Sequence, residues 1–155
     1  MLNRLIRYRG IIHERTEDAP FMGALIIAEK CSNNCQGCFN QHLKNGKVFT
    51  KPVYDIIQEV SRDVFNEGII LGGLEWSEAP EDTMSLIEWA KMANLQVILY
   101  TGLTEGALFK RIPEEALRGC YVKFGMYDKT LRSRVHVSYG VQLASTNQYI
   151  KYFRG

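Results

Sequence analysis

The segment Cys31-Ser32-Asn33-Asn34-Cys35-Gln36-Gly37-Cys38 constrains this chain more than any other, because it sets three thiols within eight residues on a polar loop directly after an apolar run. The four cysteines are too few and too clustered for a disulfide framework; in a reducing compartment such a group reads as a metal site. Iron–sulfur clusters ordinarily take four thiolates, so three at CxxxCxxC spacing suit a four-iron cluster with one iron left open for a substrate or cofactor. Gly37 lets the backbone fold tightly around a bulky inorganic core, and Ser32, Asn33 and Asn34 tolerate turn geometry while offering hydrogen bonds that tune the cluster. The same thiolates completed by His42 or Cys120 would make a tetrahedral zinc site, so zinc stays open as the alternative.

The rest of the composition is that of one ordinary globular domain, spanning 1–155. At 155 residues and 46% hydrophobic, the chain can bury a sizeable core without cross-links, and a disordered chain is excluded. The longest mainly apolar run, Phe21 to Ala28, falls far short of the ~20 residues that cross a bilayer as a helix, so no membrane span is expected. Nineteen Lys and Arg against 17 Asp and Glu give a net charge of +2 without a block of like charges, and nothing in that balance points to nucleic acid. Arg4, Arg7 and Arg9 are not followed by the apolar block of a secretion signal, and Glu14, Glu17 and Asp18 come too soon for a transit peptide; a cytoplasmic protein is expected.

Apolar periodicity predicts alternating strands and helices. Leu5 to Ile12 reads as an edge strand or extended arm, and Phe21 to Glu29 as a strand buried on both faces. Thr50 is the expected cap of a helix carrying Val53, Ile56, Ile57, Val60 and Val64 on one face, with Gly68 past its end. Ile69 to Leu71 forms a short strand ending in Gly72-Gly73, Pro80 opens a second helix, and Gln96 to Tyr100 is the next strand. Thr104 caps a short helix that Pro113 interrupts, and Cys120 to Phe124 returns to strand. This order implies an α/β fold with a mostly parallel sheet whose ligands bind at the carboxyl ends of the strands. Three such ends are chemically unusual: the cysteine loop, Gly72-Gly73 and Thr101-Gly102. The tail from Met126 to Phe153 has turn residues at Ser138 to Gly140 and no sign of a second domain.

With these motifs in hand, a resemblance emerges. The triplet Cys31, Cys35, Cys38 looks like the signature of radical S-adenosylmethionine enzymes, and Gly72-Gly73-Leu74-Glu75 resembles the glycine-rich turn that holds the methionyl amino group in that superfamily. The chain is most similar to the short activating proteins of anaerobic (class III) ribonucleotide reductase. Cys38-Phe39-Asn40 resembles their Cys-aromatic-Asn ending, Tyr100-Thr101-Gly102 their Thr-Gly turn, Lys123-Phe124-Gly125-Met126-Tyr127 their Gly-Pro-aromatic segment, and Ser145-Thr146-Asn147-Gln148 their tail motif. Two places depart from the family pattern. Glu17-Asp18-Ala19-Pro20 stands where an Asp-Gly-Pro-Gly stretch is common, and the usual Gly-Gly-Glu-Pro turn has its carboxylate one place later, at Glu75, with no proline.

The resemblance implies a truncated partial (βα) barrel, with Cys31, Cys35 and Cys38 as ligands of a [4Fe-4S] cluster and S-adenosylmethionine held by Phe39, Asn40, Gly72, Gly73, Glu75, Thr101 and Gly102. It implies generation of a 5′-deoxyadenosyl radical that installs a glycyl radical on the large subunit of the anaerobic reductase. A low-potential donor such as flavodoxin would supply the electron, and a homodimer is compatible with the pattern. Two other readings compete: a small radical enzyme acting on a purine-like molecule, and a zinc-stabilised binding module. Cys120 reads as a core residue, Trp76 as packing or a cover over the cofactor, and His13 and His136 as satisfied or surface histidines.

Overall fold

The computed structural model describes residues 2–30 and 47–155; Cys31, Cys35, Cys38, Phe39, Asn40 and His42 lie outside them. A central sheet is built from β1 (Leu5–Arg15), β2 (Gly23–Ala28), β3 (Phe49–Pro52), β4 (Gly68–Gly72), β5 (Gln96–Tyr100), β6 (Tyr121–Phe124) and β9 (Tyr149–Tyr152), in the order β3-β1-β2-β4-β5-β6-β9, with runs of branched aliphatic residues in β2, β4 and β5. The pairs β2-β4, β4-β5 and β5-β6 are parallel. The pairs β1-β2, β1-β3 and β6-β9 are antiparallel. The fold is therefore mixed α/β: a parallel centre flanked on both sides by antiparallel strands, of which β1 was expected and β3 and β9 were not.

Among the described residues, three α-helices pack on the sheet: α1 (Val53–Arg62), α2 (Pro80–Met92) and α3 (Glu105–Phe109). The face of α1 carrying Val53, Ile56, Ile57 and Val60 is buried, and α1 packs on α2, β1 and β3. Leu86, Ile87 and Ala90 of α2 join the same core, which also takes Ile6, Tyr8, Ile26, Ile69, Leu71, Val97, Leu99, Val122 and Phe124 from alternate strand positions. The intervening positions Ile70, Ile98 and Ile150 face the other way, where Ala19, Phe21, Val141 and Leu143 cover them. Strict alternation along strands buried on both faces thus gives two cores from one sheet. The second core is closed by the segment before β2 and by the tail, whose hairpin β7 (Val137–Ser138) and β8 (Val141–Gln142) turns at Tyr139-Gly140 with positive φ at both residues.

Several boundaries differ from expectation for identifiable reasons. β1 is not an edge strand, because β3, formed from residues read as a helix cap, pairs outside it. Thr50 lies in β3, and the residue preceding α1 is Pro52, which makes no side-chain cap. Val64 continues the apolar period but lies beyond the end of α1 and is 84% exposed; Gly68 starts β4 rather than ending the helix. The central elements follow the sequence closely: Pro80 occupies the first turn of α2, the Thr104 hydroxyl accepts the Ala107 N–H, and β5 runs from Gln96 to Tyr100. No helix among the described residues is long and apolar enough to cross a membrane.

Candidate functional site

The carboxyl ends of β2, β4, β5 and β6 lie side by side, with Ile27 opposite Gly72, Leu71 opposite Leu99, and Tyr100 opposite Lys123. The unusual motifs are therefore neighbours in space. Lys30, which follows β2 and immediately precedes Cys31, accepts the Glu75 N–H on its carbonyl at 2.8 Å. The residue that precedes Cys31 is thereby tied to the turn that leaves β4.

Within that turn Gly73 has φ +81, and a Cβ there would stand 2.7 Å from Cγ2 of Ile27, so both conformation and space require glycine. At Gly72 a Cβ would approach Leu25 Cδ1 to 3.3 Å and Tyr100 Cβ to 3.5 Å. The pair leaves bare backbone at the strand end. Past it, the Trp76 ring is buried in the helix-side core and its Nε1–H donates to the Ile26 carbonyl at 2.9 Å.

Glu75 is 5% exposed and spends its carboxylate on the neighbouring strand end. Oε1 accepts the Gly102 N–H at 2.7 Å. Oε2 accepts the Thr101 hydroxyl at 3.0 Å, the Ser77 hydroxyl at 2.8 Å and the Ser77 N–H at 3.3 Å. Thr101 is held from further directions, donating its N–H to the Lys123 carbonyl and accepting the Leu103 N–H on its hydroxyl. Gly72, Gly73, Glu75, Thr101 and Gly102, expected at the site, are thus brought together. Cys31, Cys35, Cys38, Phe39 and Asn40 fall outside the described residues.

Two features of this region escaped the sequence reading. Lys123 is only 8% exposed; its Nζ donates to the Gly125 carbonyl at 3.0 Å and lies 5.3 Å from the centre of the Tyr100 ring. It places a buried cation beside the strand ends. Burial pushes the Tyr100 hydroxyl far above its ordinary pKa, and the group donates to the Asp18 carbonyl. The second feature is Ser77, fully buried, whose hydroxyl also accepts from Arg111 Nη1 at 3.0 Å. A serine two residues after a glutamate at a strand exit was the available signal.

A small solvent-open cleft of about 310 Å³ runs beside the root of the cysteine loop, lined among others by Arg7, Glu29, Lys30, Glu75 and Trp76. Arg7 grips Glu29 with two hydrogen bonds of 2.8 and 3.0 Å, which hold the Glu29 carboxyl below its ordinary value. The tail motif is bonded within the chain. Gln148 accepts the Ala144 and Ser145 N–H groups and donates to the Gly125 carbonyl, while Asn147 donates to the Met126 carbonyl. Together they clasp the tail to the end of β6.

The remaining candidates are structural. Cys120 precedes β6, at the end of the strand opposite Phe124, and is fully buried with its thiol pushed up to about 11 by burial. His13 bonds Glu59 and Asn66, and His136 bonds the Gln148 carbonyl. Among the described residues no group of three His, Cys, Asp or Glu side chains could hold a metal ion.

The model of the 4Fe-4S single cluster domain matches residues 22–148, from the residue before β2 to the tail clasp. The chain belongs to the 4Fe-4S single cluster domain family. No curated protein matches it. Membership supports the [4Fe-4S] cluster as the metal group of the chain and places the matched segment around the strand ends just described.

Proposed function

We propose that this 4Fe-4S domain protein is a radical S-adenosylmethionine activase that installs a glycyl radical on the large subunit of anaerobic ribonucleotide reductase. The observation that carries the reading is the bond between the Glu75 N–H and the Lys30 carbonyl, which joins the residue before Cys31 to the glycine turn after β4. A cluster on the loop and a cofactor on the turn would then be neighbours.

The donor set fits both groups. Cys31, Cys35 and Cys38 offer three thiolates and leave the fourth ligand position of a [4Fe-4S] cluster for a chelating cofactor. Gly72 and Gly73 offer backbone without side chains, and at Gly73 an added Cβ would collide with Ile27. Phe39 and Asn40, adjoining Cys38, complete the cofactor contacts, with Thr101 and Gly102 on the facing turn. When bound, cluster and cofactor supply one-electron cleavage of a carbon–sulfur bond, and with it a carbon radical able to take hydrogen from a backbone glycine.

The chain's own part is to bind, orient and shield. The glycine turn lets the ligand approach the backbone closely, and the Glu75 bonds hold the two turns at a set spacing. Lys123 offers positive charge to an anionic group of the ligand, and the apolar side chains of Leu25, Ile27 and Tyr100 limit water at the strand ends. We read the parallel strands β2, β4, β5 and β6 as a truncated partial barrel, open enough to meet a loop of a protein substrate. The implied partners are that large subunit and a low-potential electron donor such as flavodoxin, in the cytoplasm.

The test is anaerobic incubation of the reconstituted, reduced protein with S-adenosylmethionine and the large reductase subunit. A glycyl radical signal on the subunit, with 5′-deoxyadenosine as co-product, is expected. Release of 5′-deoxyadenosine without a radical on that subunit would point to a different substrate, and no release would overturn the reading.

A further inference from the structure

Glu75 stands where a carboxylate contact to the cofactor's ammonium group would be expected, yet its bonds run to the neighbouring turn of its own chain. Its Oε2 takes three donors, the Thr101 hydroxyl and the hydroxyl and N–H of Ser77, and its Oε1 takes the Gly102 N–H, all from within the chain, and the residue is 5% exposed. The carboxylate is thus turned toward the chain's own donors.

The direction of the bonds is equally informative. The Ser77 hydroxyl has one proton, which goes to Glu75, and it accepts from Arg111. The Thr101 hydroxyl likewise gives its proton to Glu75 and accepts from Leu103. Both hydroxyl protons converge on one carboxylate, which ties the exits of β4 and β5 together. The Glu75 N–H, meanwhile, is committed to the root of the cysteine loop.

We infer that Glu75 is a positioning residue rather than a cofactor ligand: through Thr101 and Gly102, and held by Ser77, it sets the spacing of the two backbone turns that take S-adenosylmethionine. The inference rests on the cofactor reading above. It makes Ser77, a side chain buried beneath the site, matter for affinity.

The experiment titrates S-adenosylmethionine into the reduced, cluster-loaded protein and follows the change in its electron paramagnetic resonance signal, for wild type, Ser77→Ala, Thr101→Val, Thr101→Ser, Glu75→Gln and the Ser77→Ala/Glu75→Gln double variant. Iron content and the signal without cofactor stay at wild-type level in Ser77→Ala. Its cofactor affinity falls by about fivefold or more, within the usual range for coupling between sites. Thr101→Val falls similarly, Thr101→Ser restores binding, and the double variant loses less than the product of the single losses.

Wild-type affinity in Ser77→Ala would overturn the positioning role, and a loss in Glu75→Gln beside it would make Glu75 a direct ligand. Ser77→Ala keeps the carboxylate and removes one buried oxygen, so it decides the matter even if Glu75→Gln does not fold. A wild-type signal indifferent to the cofactor would overturn the radical reading itself, and the inference with it.

Discussion

The Glu75 carboxylate accepts the Gly102 N–H at 2.7 Å across the gap between the exits of β4 and β5. The same side chain takes three further hydrogen bonds from Thr101 and Ser77, so removing it strands several buried donors at once. Glu75→Ala is expected to cost about 2–4 kcal/mol of stability, the range for losing hydrogen bonds to a buried charged group. Denaturant unfolding followed by circular dichroism measures it; a loss below about 0.5 kcal/mol, the level of an ordinary surface change, would contradict the network.

Gly73 combines a left-handed backbone with a close approach to Ile27. Gly73→Ala must bear about 1–2 kcal/mol for the left-handed conformation and must also push Ile27 aside. A lower unfolding midpoint is expected, together with weaker S-adenosylmethionine binding in cluster-loaded protein. Unchanged stability would show that the turn readily adopts another conformation.

How far the sequence disclosed this site can be judged from particular residues. Gly72-Gly73 and Thr101-Gly102 were legible because glycine at the exit of an apolar run is a local signal, and β4, β5 and α2 were legible because their apolar patterns lie within a few residues. β3 and β9 were not, since each is four residues long and owes its strand conformation to pairing with β1 or β6 rather than to its own pattern. The Glu75 network was hidden for a related reason: its partners Thr101 and Gly102 come from a different strand, 26 and 27 positions along. The tail motif was visible, but its role as an internal clasp depends on Gly125 and Met126 at the end of β6.

Cys120 should behave as an inert core thiol. It is fully buried, and its thiol is pushed up to about 11 by burial, so the reactive thiolate is scarce at neutral pH. Mass spectrometry after brief iodoacetamide treatment should find Cys120 unmodified in the native protein and modified in denaturant. Rapid native labelling would contradict its burial.

Glu105 anchors the tail by accepting the Tyr149 hydroxyl at 2.6 Å and the Lys151 ammonium at 2.9 Å. The Tyr149 hydrogen bond, followed by that from Lys151, holds its carboxyl below the ordinary value. A carboxyl lowered on folding stabilises above its unfolded pKa and loses that contribution as the pH falls through its folded one. Glu105→Gln should therefore be less stable than wild type at pH 7, with the gap closing as the pH drops through and below the ordinary glutamate range. Thermal unfolding at a series of pH values reads this, and a gap that widens on acidification would contradict the assignment.

The central claim is that Cys31, Cys35 and Cys38 hold a cluster with an open iron beside the Gly72-Gly73 turn. Anaerobic reconstitution with iron and sulfide, followed by electron paramagnetic resonance of the reduced protein with and without S-adenosylmethionine, tests it most directly. A four-iron signal that changes when the cofactor is added is the predicted result. A colourless protein that retains zinc, or a cluster whose signal ignores the cofactor, would contradict it.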